Sequence, residues 1–380
     1  MVVGGGVIGL SIALELLRLG NQVEVLEWGK TAGASSRAAA GMLAPVSEAE
    51  LEDPEVLSLA LDSLARFPQF VGALETLSGM RCDYRTDGTL WVAVTRDDVA
   101  EIEHLHETLT LKVEGLPARP LSAREVLERE PHLSGRVLQG LLVERDLQID
   151  PRLLTAALAG GIGKLGGRVR RGVRVEEIVA DGDRVRELVV IGDDDEPVRQ
   201  PCDTVVLAAG AWSTAEIRSP VSSLGVHPLK GQLVRLRGPR LLHHVVRHPE
   251  VYLVPRESGE LLVGATMEEV GFDAAATAGA VHDLLRHAWQ VVPGLYDLEL
   301  VEISVGFRPA SQDNRPIIGP TGIHGLYVAV GHGRQGVLLA PATAHHLAGC
   351  IVSGRTPAEL RAFAVDRFEE LGRGERISRS

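Results

Sequence analysis

The amino-acid sequence predicts an α/β fold of two discontinuous domains, one built on a parallel sheet and the other on an antiparallel sheet. Residues 203–210 and 325–330 are continuous apolar runs, which are typical of buried strands in a parallel sheet. Residues 226–237 and 245–265 instead alternate apolar and polar side chains and carry turn signals, which indicates antiparallel strands. Because the antiparallel segments lie between parallel ones, we expect an α+β domain inserted into an α/β domain.

The first βαβ unit carries a glycine-rich turn. Gly4, Gly6 and Gly9 fit the G-x-G-x-x-G spacing, an apolar helical run follows over residues 7–19, and a short β-rich run ends at Glu27. In this pattern the glycines allow a tight turn, a close approach to a pyrophosphate and close helix packing, and the acid accepts from ribose hydroxyls. The pattern predicts a Rossmann-like dinucleotide site, with NAD and FAD both open. A glycine-rich turn in an ordinary α/β fold is the alternative.

The positions of these segments also predict how the domains divide the chain. We expect the nucleotide-binding domain over residues 1–80, 146–222 and 306–372. We expect the substrate-binding domain over residues 81–145 and 223–305. Each domain is therefore assembled from separate stretches of the chain.

Composition and charge exclude several classes of function. With 45% apolar and 24% charged residues, the 380-residue chain has the composition of a globular protein. A formal net charge of −12 argues against nucleic-acid and anionic-membrane partners. Cys82, Cys202 and Cys350 are far apart and odd in number, so neither a disulfide framework nor a cysteine metal site is expected.

Targeting, membrane and metal signals are also missing from the sequence. The first ten residues contain no basic leader, and the apolar run 336–352 is interrupted by Pro341 and two histidines, so we expect a cytoplasmic protein without a membrane span. His243, His244 and His248 have no cysteines nearby and no matching acid, so we expect no metal site.

Three later segments favour FAD over NAD. Small and hydroxyl-bearing residues dominate the segment 33–42, and they can line a diphosphate and let a flat ring lie against the backbone. Residues 203–212 form a strand whose end, at Ala209 and Gly210, can pass close to the cofactor. Residues 331–338 form a glycine-rich turn that opens a helix, and a helix N-terminus stabilises the negative charge of a reduced flavin.

Several motifs resemble a known family along nearly the whole chain. They are Ala-Ala-Gly-Met-Leu at 39–43, Gly-Phe-Arg-Pro at 306–309, Asp-Asn-Arg-Pro-Ile-Ile-Gly at 313–319 and Gly-His-x-Arg-x-Gly-x-Leu-Leu-Ala-Pro-Ala-Thr at 331–343. These motifs resemble the D-amino-acid oxidase superfamily of FAD-dependent oxidoreductases, and most of all its glycine-oxidase branch of the thiamine-biosynthetic type. The resemblance implies a glutathione-reductase-like FAD-binding domain with an inserted substrate domain.

The resemblance also implies an activity with its cofactor and partners. It implies non-covalent FAD, a small amino acid as substrate (glycine, sarcosine or a small D-amino acid) and O2 as the electron acceptor. The expected products are an imino acid, which yields the 2-oxo acid, and H2O2, and the imino product would feed thiazole formation. A homo-oligomer without nucleic-acid or membrane partners is expected.

The resemblance assigns the substrate side of the site to three residues. By position, Arg308 resembles the arginine that clamps the substrate carboxylate, and Tyr252 resembles the tyrosine that hydrogen-bonds it. Arg334 resembles a residue at the mouth of the site, next to the flavin. The chemistry agrees for Arg308, because a planar guanidinium fork matches a carboxylate and fixes its angle. A structural ion pair for Arg308 and cross-strand packing for Tyr252 are the alternatives.

Cofactor contacts are expected along the rest of the site. They are Gly4, Gly6, Val7, Ile8, Gly9, Glu27, Trp28, Ser35, Ser36, Ala40, Gly41, Met42, Val175, Ala209, Gly210, His332, Gly333, Arg334, Gln335, Gly336, Val337 and Leu338. Val173 could take the place of Val175. Relatives that bind flavin covalently use a cysteine soon after the Arg-Pro motif or a histidine just before Ala-Ala-Gly, and this chain has neither.

Other functions stay open at this point. A dehydrogenase of the same fold would pass electrons to a quinone or a partner flavoprotein instead of O2. A flavin domain that trims a tRNA modification is disfavoured by the acidic charge and the lack of a basic patch. A non-catalytic FAD-binding subunit would not need Arg308 and Tyr252.

Overall fold

A computed structural model describes residues 1–29, 34–45, 53–112, 118–192, 194–221 and 224–368 of the chain. Its strands are β1 (Val2–Val3), β2 (Glu24–Glu27), β3 (Met42–Leu43), β4 (Thr89–Ala93), β5 (Ala118–Ser122), β6 (Gln139–Val143), β7 (Leu147–Gln148), β8 (Arg168–Arg171), β9 (Arg174–Asp181), β10 (Arg184–Ile191), β11 (Pro197–Pro201), β12 (Val205–Leu207), β13 (His227–Arg237), β14 (Val245–His248), β15 (Val251–Pro255), β16 (Glu260–Gly264), β17 (Glu299–Ala310), β18 (Ile317–Pro320) and β19 (Leu326–Val330). Its α-helices are α1 (Val7–Arg18), α2 (Ala34–Ala38), α3 (Pro54–Ser78), α4 (Arg96–Lys112), α5 (Ala123–Arg129), α6 (Pro151–Lys164), α7 (Trp212–Ala215), α8 (Ala278–Val291) and α9 (Gly336–Ser353).

A six-stranded sheet forms the centre of one half of the molecule. Its strand order is β18-β19-β12-β1-β2-β8, and every neighbouring pair is parallel except β18 with β19. Helices α1, α3, α6 and α9 cover one face, with Leu10, Phe67 and Leu347 in the buried core. The small sheet β11-β10-β9 covers the other face through Val175, Leu188 and neighbouring residues. The expected parallel sheet is confirmed.

An eight-stranded sheet forms the centre of the other half. Its order is β17-β13-β16-β15-β14-β4-β6-β5, and its pairs are antiparallel apart from β14 with β4. Strands from two distant parts of the chain therefore join one sheet, and α8 packs against it through Leu284, Ala288 and Val291. The expected antiparallel sheet is confirmed, and the fold class is the predicted one.

The strand composition of the two large sheets can be compared with the expected domain boundaries. Strands β4–β6 and β13–β17 share the eight-stranded sheet, and β17 continues from residue 299 to 310, across the boundary expected at 305/306. The boundaries expected at 222/223 and at 372 lie outside the described residues. The domain limits therefore stay predictions.

One helical stretch among the described residues, Gly333–Ser353, is long and apolar enough to cross a membrane by length and composition. In this structure α9, which makes up most of it, packs against α1 and α3. Ala340, Ala344 and Leu347 are fully buried there. Its apolar composition is therefore accounted for by its place in the protein core.

Candidate active site

A cavity of about 780 Å³ lies where the carboxyl ends of the parallel strands face the eight-stranded sheet. Its wall on one side comes from residues at the ends of β1, β2, β12 and β19. The wall on the other side comes from β13–β17 and the segment after β16. Ligands of open α/β sheets bind at the carboxyl ends of strands, so this is the expected position for a nucleotide.

The turn between β1 and α1 forms the nucleotide end of the cavity. Gly6 precedes α1 and offers no side-chain cap, and the Val7 N–H donates to Ser36 Oγ at 3.0 Å. Gly9 faces the Gly4 carbonyl so closely that any side chain there would clash with it. The glycine spacing therefore has the packing role that the sequence predicts, and it brings the start of α1 to the cavity.

Glu27 is the last residue of β2 and contacts this turn. Its carboxylate accepts from the Gly5 N–H at 2.6 Å and from the Gly29 N–H at 2.8 Å. Burial raises the pKa of Glu27, and the two backbone hydrogen bonds oppose that rise. The carboxylate is thus held at the end of the strand, as a ribose-binding acid requires.

A second N-terminus, that of α9, borders the cavity further along. Its N-cap residue, Gln335, makes no capping bond, while Gly336 and Val337 line the cavity. His332 lies just before it, buried, with Nε2 3.2 Å from Thr343 Oγ1. Burial lowers the pKa of His332 to about 3, so its imidazole is neutral at physiological pH.

A buried arginine holds the loop between α2 and β3. Arg256 follows β15, is 1% exposed, and donates to the carbonyls of Ala40 and Ile149, the latter at 3.0 Å. Its Nε lies 3.7 Å from Asp150 Oδ2. Burial lowers the pKa of Arg256 to about 10, which leaves it charged. Arg256 therefore connects the loop between α2 and β3 (residues 39–41) to β15, the strand that carries Tyr252.

Arg308 lies at the substrate end of the cavity. It is half-buried on β17, paired in register with Leu229, and its guanidinium packs on Gly231, where a side chain would clash with it. Its Nη1 donates to the Thr266 carbonyl at 3.0 Å and lies 3.5 Å from the Lys230 carbonyl. Neither contact is with a carboxylate.

Tyr252 belongs to a row of side chains that runs across four strands. In register, Trp91 of β4 stands beside Arg247 of β14, which stands beside Tyr252 of β15 and then Gly264 of β16. The Arg247 guanidinium lies 4.7 Å from the centre of the Trp91 ring and 6.0 Å from that of Tyr252. Cation–π contacts of this kind hold the Arg247 and Tyr252 side chains in place at the cavity wall.

An aromatic cluster closes the cavity beside Arg308. The rings of Trp212, Phe272 and Phe307 lie 5.3 to 6.0 Å apart, and Trp212 and Phe307 line the cavity. Phe307 also accepts a hydrogen bond from Ser35 Oγ at its carbonyl, at 2.6 Å. The strand that carries Arg308 therefore contacts α2, on the cofactor side of the cavity, directly.

The cavity collects most of the residues that the sequence singles out. Arg308, Tyr252 and Arg334 line it together with Gly4, Gly6, Val7, Ile8, Glu27, Trp28, Ser35, Ser36, Ala40, Gly41, Met42, Val175, Ala209, Gly210, His332, Gly333, Gly336 and Val337. Gly9, Gln335 and Leu338 do not line it: Gly9 faces Gly4, and Leu338 belongs to the core. Val173 and Val175 both line it, so that alternative stays open.

Sequence reasoning missed several residues of the site. Arg247, Thr266, Met267 and Trp212 line the cavity, and Arg256 supports it from behind. The local signal at Arg247 is alternation in a β-rich segment, which does not show which strands become neighbours. Trp212 lies just after the apolar run at 203–210, in α7, where the sequence gives no sign that its side chain enters a site. Among the described residues, no group of three or more His, Cys, Asp or Glu side chains is arranged to hold a metal.

The wall of the cavity fits a dinucleotide cofactor. Two helix N-termini whose N-cap residues, Gly6 and Gln335, make no side-chain capping bond border it, and helix N-termini favour phosphate and other anionic groups. The wall between them is made of small residues, Ala38 to Gly41, which leave the main chain accessible. The site would hold the diphosphate near α1 and a flavin between the start of α9 and the substrate end.

Known proteins resemble this chain over nearly its full length. Residues 1–349 match the family model of FAD dependent oxidoreductases, DAO. The glycine oxidase of Geobacillus kaustophilus is 33% identical over 371 residues, 96% of each chain. The bifunctional protein ThiO/ThiG of Trichormus variabilis is 32% identical over 379 residues, 97% of this chain and 55% of that protein. The chain thus spans about half the length of that relative.

A solved structure agrees with these sequence matches. The crystal structure of glycine oxidase from Geobacillus kaustophilus superposes with a TM-score of 0.87 at 32% identity, covering 96% of this chain and 97% of that one. The predicted family and its cofactor, FAD, are confirmed. The chain belongs to the DAO family of FAD-dependent oxidoreductases.

Proposed function

We propose that the protein oxidises the C–N bond of a small amino acid, namely glycine, sarcosine or a small D-amino acid. The substrate loses two electrons and two protons and becomes an imino acid, which water converts to the 2-oxo acid and an amine or ammonia. The electrons and protons reach O2 and form H2O2. Bound FAD would supply the two-electron acceptor between substrate and O2.

The observation that carries the proposal is the position of Arg308 on the cavity wall. Its Nη1 contacts two main-chain carbonyls, which support the side chain without neutralising its charge. A guanidinium offers five N–H donors, and a carboxylate takes two of them in parallel. We infer that Arg308 binds the substrate carboxylate and that Tyr252 donates its phenol hydrogen to the same group.

This arrangement makes positioning the main contribution of the protein. A carboxylate fixed by Arg308 places the α-carbon and nitrogen at a defined angle, which converts binding into orientation of the reacting bond. His332 is an unsuitable proton acceptor, because burial keeps its pKa at about 3. The substrate amine would therefore enter in its neutral form or lose its proton to water.

The names of the relatives support a small amino acid as substrate. The relative from Geobacillus kaustophilus is called glycine oxidase, and the relative from Trichormus variabilis is the bifunctional protein ThiO/ThiG. We propose that the imino product feeds thiazole formation in thiamine biosynthesis. A cytoplasmic location and a homo-oligomer are also proposed, and light scattering of the purified protein would test the latter.

Steady-state H2O2 production from a substrate panel tests the activity. We expect turnover with at least one of glycine, sarcosine, D-alanine and D-proline. Glycinamide is the matched control: it lacks the carboxylate that Arg308 binds and should not be oxidised. Oxidation of glycine with a quinone but without H2O2 from O2 would favour a dehydrogenase, and no oxidation of any amino acid would contradict the proposal.

The attachment of FAD can be tested separately. We propose that the flavin is non-covalent, because the chain lacks the cysteine and the histidine that tether it in relatives. Heat or acid precipitation should therefore leave a yellow supernatant containing intact FAD. Colour that stays in the pellet would show covalent attachment.

A further inference from the structure

A set of interlocked polar contacts lies behind Arg308, in the segment that follows β16. Glu268 is its centre. One carboxylate oxygen, Oε1, accepts from Thr266 Oγ1 at 2.5 Å and from Gln232 Nε2 at 2.8 Å. The other, Oε2, lies 3.7 Å from Lys230 Nζ. Glu268 thereby connects its own segment to two residues of β13.

Main-chain bonds hold the same segment in register with β13. The N–H groups of Lys230 and Glu268 each donate to the other residue's carbonyl at 3.0 Å. The Gln232 N–H donates to Thr266 Oγ1 at 3.0 Å. The Thr266 carbonyl in turn accepts from Arg308 Nη1 at 3.0 Å. A short chain of contacts therefore leads from the Glu268 carboxylate to the Arg308 guanidinium.

The burial of Lys230 requires a negative charge nearby, which Glu268 provides. The Lys230 side chain is 1% exposed, and an ammonium in such a place requires a partner of opposite charge. Asp273 lies equally close to Lys230, at 3.7 Å, but its side chain is 57% exposed against 26% for Glu268. The hydrogen bond from Thr266 lowers the pKa of Glu268, so its carboxylate is ionised at neutral pH.

We propose that Glu268 is a positioning residue for Arg308, which it orients through the Thr266 carbonyl. Thr266 accepts from Nη1, and this contact restricts the rotation of the guanidinium, which sets how Nη2 and Nε meet a carboxylate ligand. Without the Glu268 carboxylate, the Thr266 hydroxyl and Lys230 lose a shared partner, and main-chain bonds with Lys230 and Gln232 alone hold the segment that carries the Thr266 carbonyl. The inference rests on the proposed role of Arg308 as the carboxylate-binding residue.

Two substitutions of Glu268 and one control separate orientation from stability. Glu268→Ala removes every contact of the carboxylate. Glu268→Gln keeps an oxygen that accepts from Thr266 and Gln232 but loses the charge opposite Lys230. Glu302→Gln is the matched control: Glu302 lies on β17, the strand of Arg308. Among the described residues its carboxylate contacts Arg152 at 2.8 Å, Ser304 and Arg235, a set apart from Thr266 and Lys230.

The measurements use the FAD-loaded enzyme with acetate as a carboxylate probe. Acetate affinity is read from calorimetry, glycine KM and kcat from turnover, and Tm from thermal unfolding. We expect Glu268→Ala to raise both the acetate Kd and the glycine KM about tenfold with kcat nearly unchanged, because an orienting contact is lost equally from bound substrate and transition state. Glu268→Gln should raise them about threefold, and Glu302→Gln should leave them unchanged.

A double-mutant cycle with Arg308→Ala decides the route of the effect. If Glu268 acts through Arg308, Glu268→Ala causes no further loss of acetate affinity once Arg308 is absent. An equal loss in both backgrounds, or a lowered Tm with unchanged acetate Kd, would overturn the inference. If Arg308→Ala alone left acetate affinity unchanged, the proposed role of Arg308 would fail, which is a result separate from the two outcomes for Glu268.

Discussion

The two ends of the cavity differ in which parts of the residues form them, main chain at one end and side chains at the other. The nucleotide end consists mainly of main chain: the turn from Gly4 to Gly9 and the N-termini of α1 and α9. The substrate end consists of side chains on separate strands, with Tyr252 on β15 and Arg308 on β17. Each main-chain part of the first end is formed by neighbouring positions along the chain, whereas the second end exists only when distant strands pair in the correct register.

The difference predicts that the two ends respond differently to substitution. Side chains at the substrate end should affect turnover and leave the flavin in place. Residues that support the main chain at the nucleotide end should affect flavin retention and stability. The experiments below test this separation, starting with the residue at which the two ends meet.

Arg256→Met is expected to have the largest effect. The substitution removes a fully buried cation from two carbonyls and from Asp150, and breaking such a set should cost about 3–5 kcal/mol of unfolding free energy. Urea unfolding of the flavin-free protein measures it. Arg18→Met is the control, because the exposed pair of Arg18 with Glu15 should contribute under about 1 kcal/mol. Equal stabilities for the two variants would refute the anchoring role of Arg256.

Arg308→Ala should follow, with a loss of about 2–5 kcal/mol in kcat/KM for glycine. Arg308→Lys should lose less, since lysine keeps the charge but not the fork. Steady-state kinetics and the flavin-to-protein absorbance ratio measure the two ends at once. The separation of the two ends would be wrong if either variant were purified without flavin, and the carboxylate role would be wrong if kcat/KM stayed the same.

The pH dependence of substrate oxidation should be smaller, at most tenfold per pH unit. Oxidation of the C–N bond needs a free lone pair on nitrogen, so anaerobic reduction of the enzyme should accelerate as pH rises. The cationic side chains of Arg308 and Arg334 favour loss of the amine proton, so the apparent pKa should lie below that of free substrate. Stopped-flow measurements with glycine and sarcosine should give different apparent pKa values.

His332→Ala is the control for the same experiment. Because burial holds the pKa of His332 at about 3, its removal should leave the pH dependence of reduction in place. Identical apparent pKa values for both substrates, together with a flat profile for His332→Ala, would instead identify a side-chain base.

Glu27→Gln should have the smallest effect, about 1 kcal/mol in FAD affinity, since one oxygen can still accept from a ribose hydroxyl. Burial raises the pKa of Glu27, so its ionised form costs the folded apoprotein stability as pH rises above the unfolded value. The substitution removes this pH-dependent cost, but its amide NH2 faces one of the two N–H groups, of Gly5 and Gly29, from which the carboxylate accepts. The difference in apoprotein stability between wild type and Glu27→Gln should therefore shift in favour of the variant as pH rises. Fluorescence titration with FAD and thermal unfolding measure both quantities. A loss of apoprotein stability in Glu27→Gln that grows as pH rises would contradict this account.

Sequence reasoning predicted the fold and the nucleotide end because their signals are local. The spacing of Gly4, Gly6 and Gly9 and the apolar runs at 203–210 and 325–330 each lie within a few consecutive residues. At the substrate end, Arg308 and Tyr252 came from resemblance to a family. Arg247 escaped notice because its role depends on pairing with Trp91, more than a hundred residues earlier in the chain. No local pattern specifies such a pair.

The course of β17 fixes where an engineer can join parts of two related enzymes. Its pairing with β13 extends from Glu299 to Ala310 with one register shift at Val301, and the carbonyl of Phe307, near its end, accepts a hydrogen bond from Ser35 of α2. In a chimaera joined at residue 305, the two parts of β17 that pair with β13 would come from different parents. A junction after Ala310 would transfer Arg308 together with the sheet that orients it. The chimaera should then have the substrate preference of the parent that supplies this sheet.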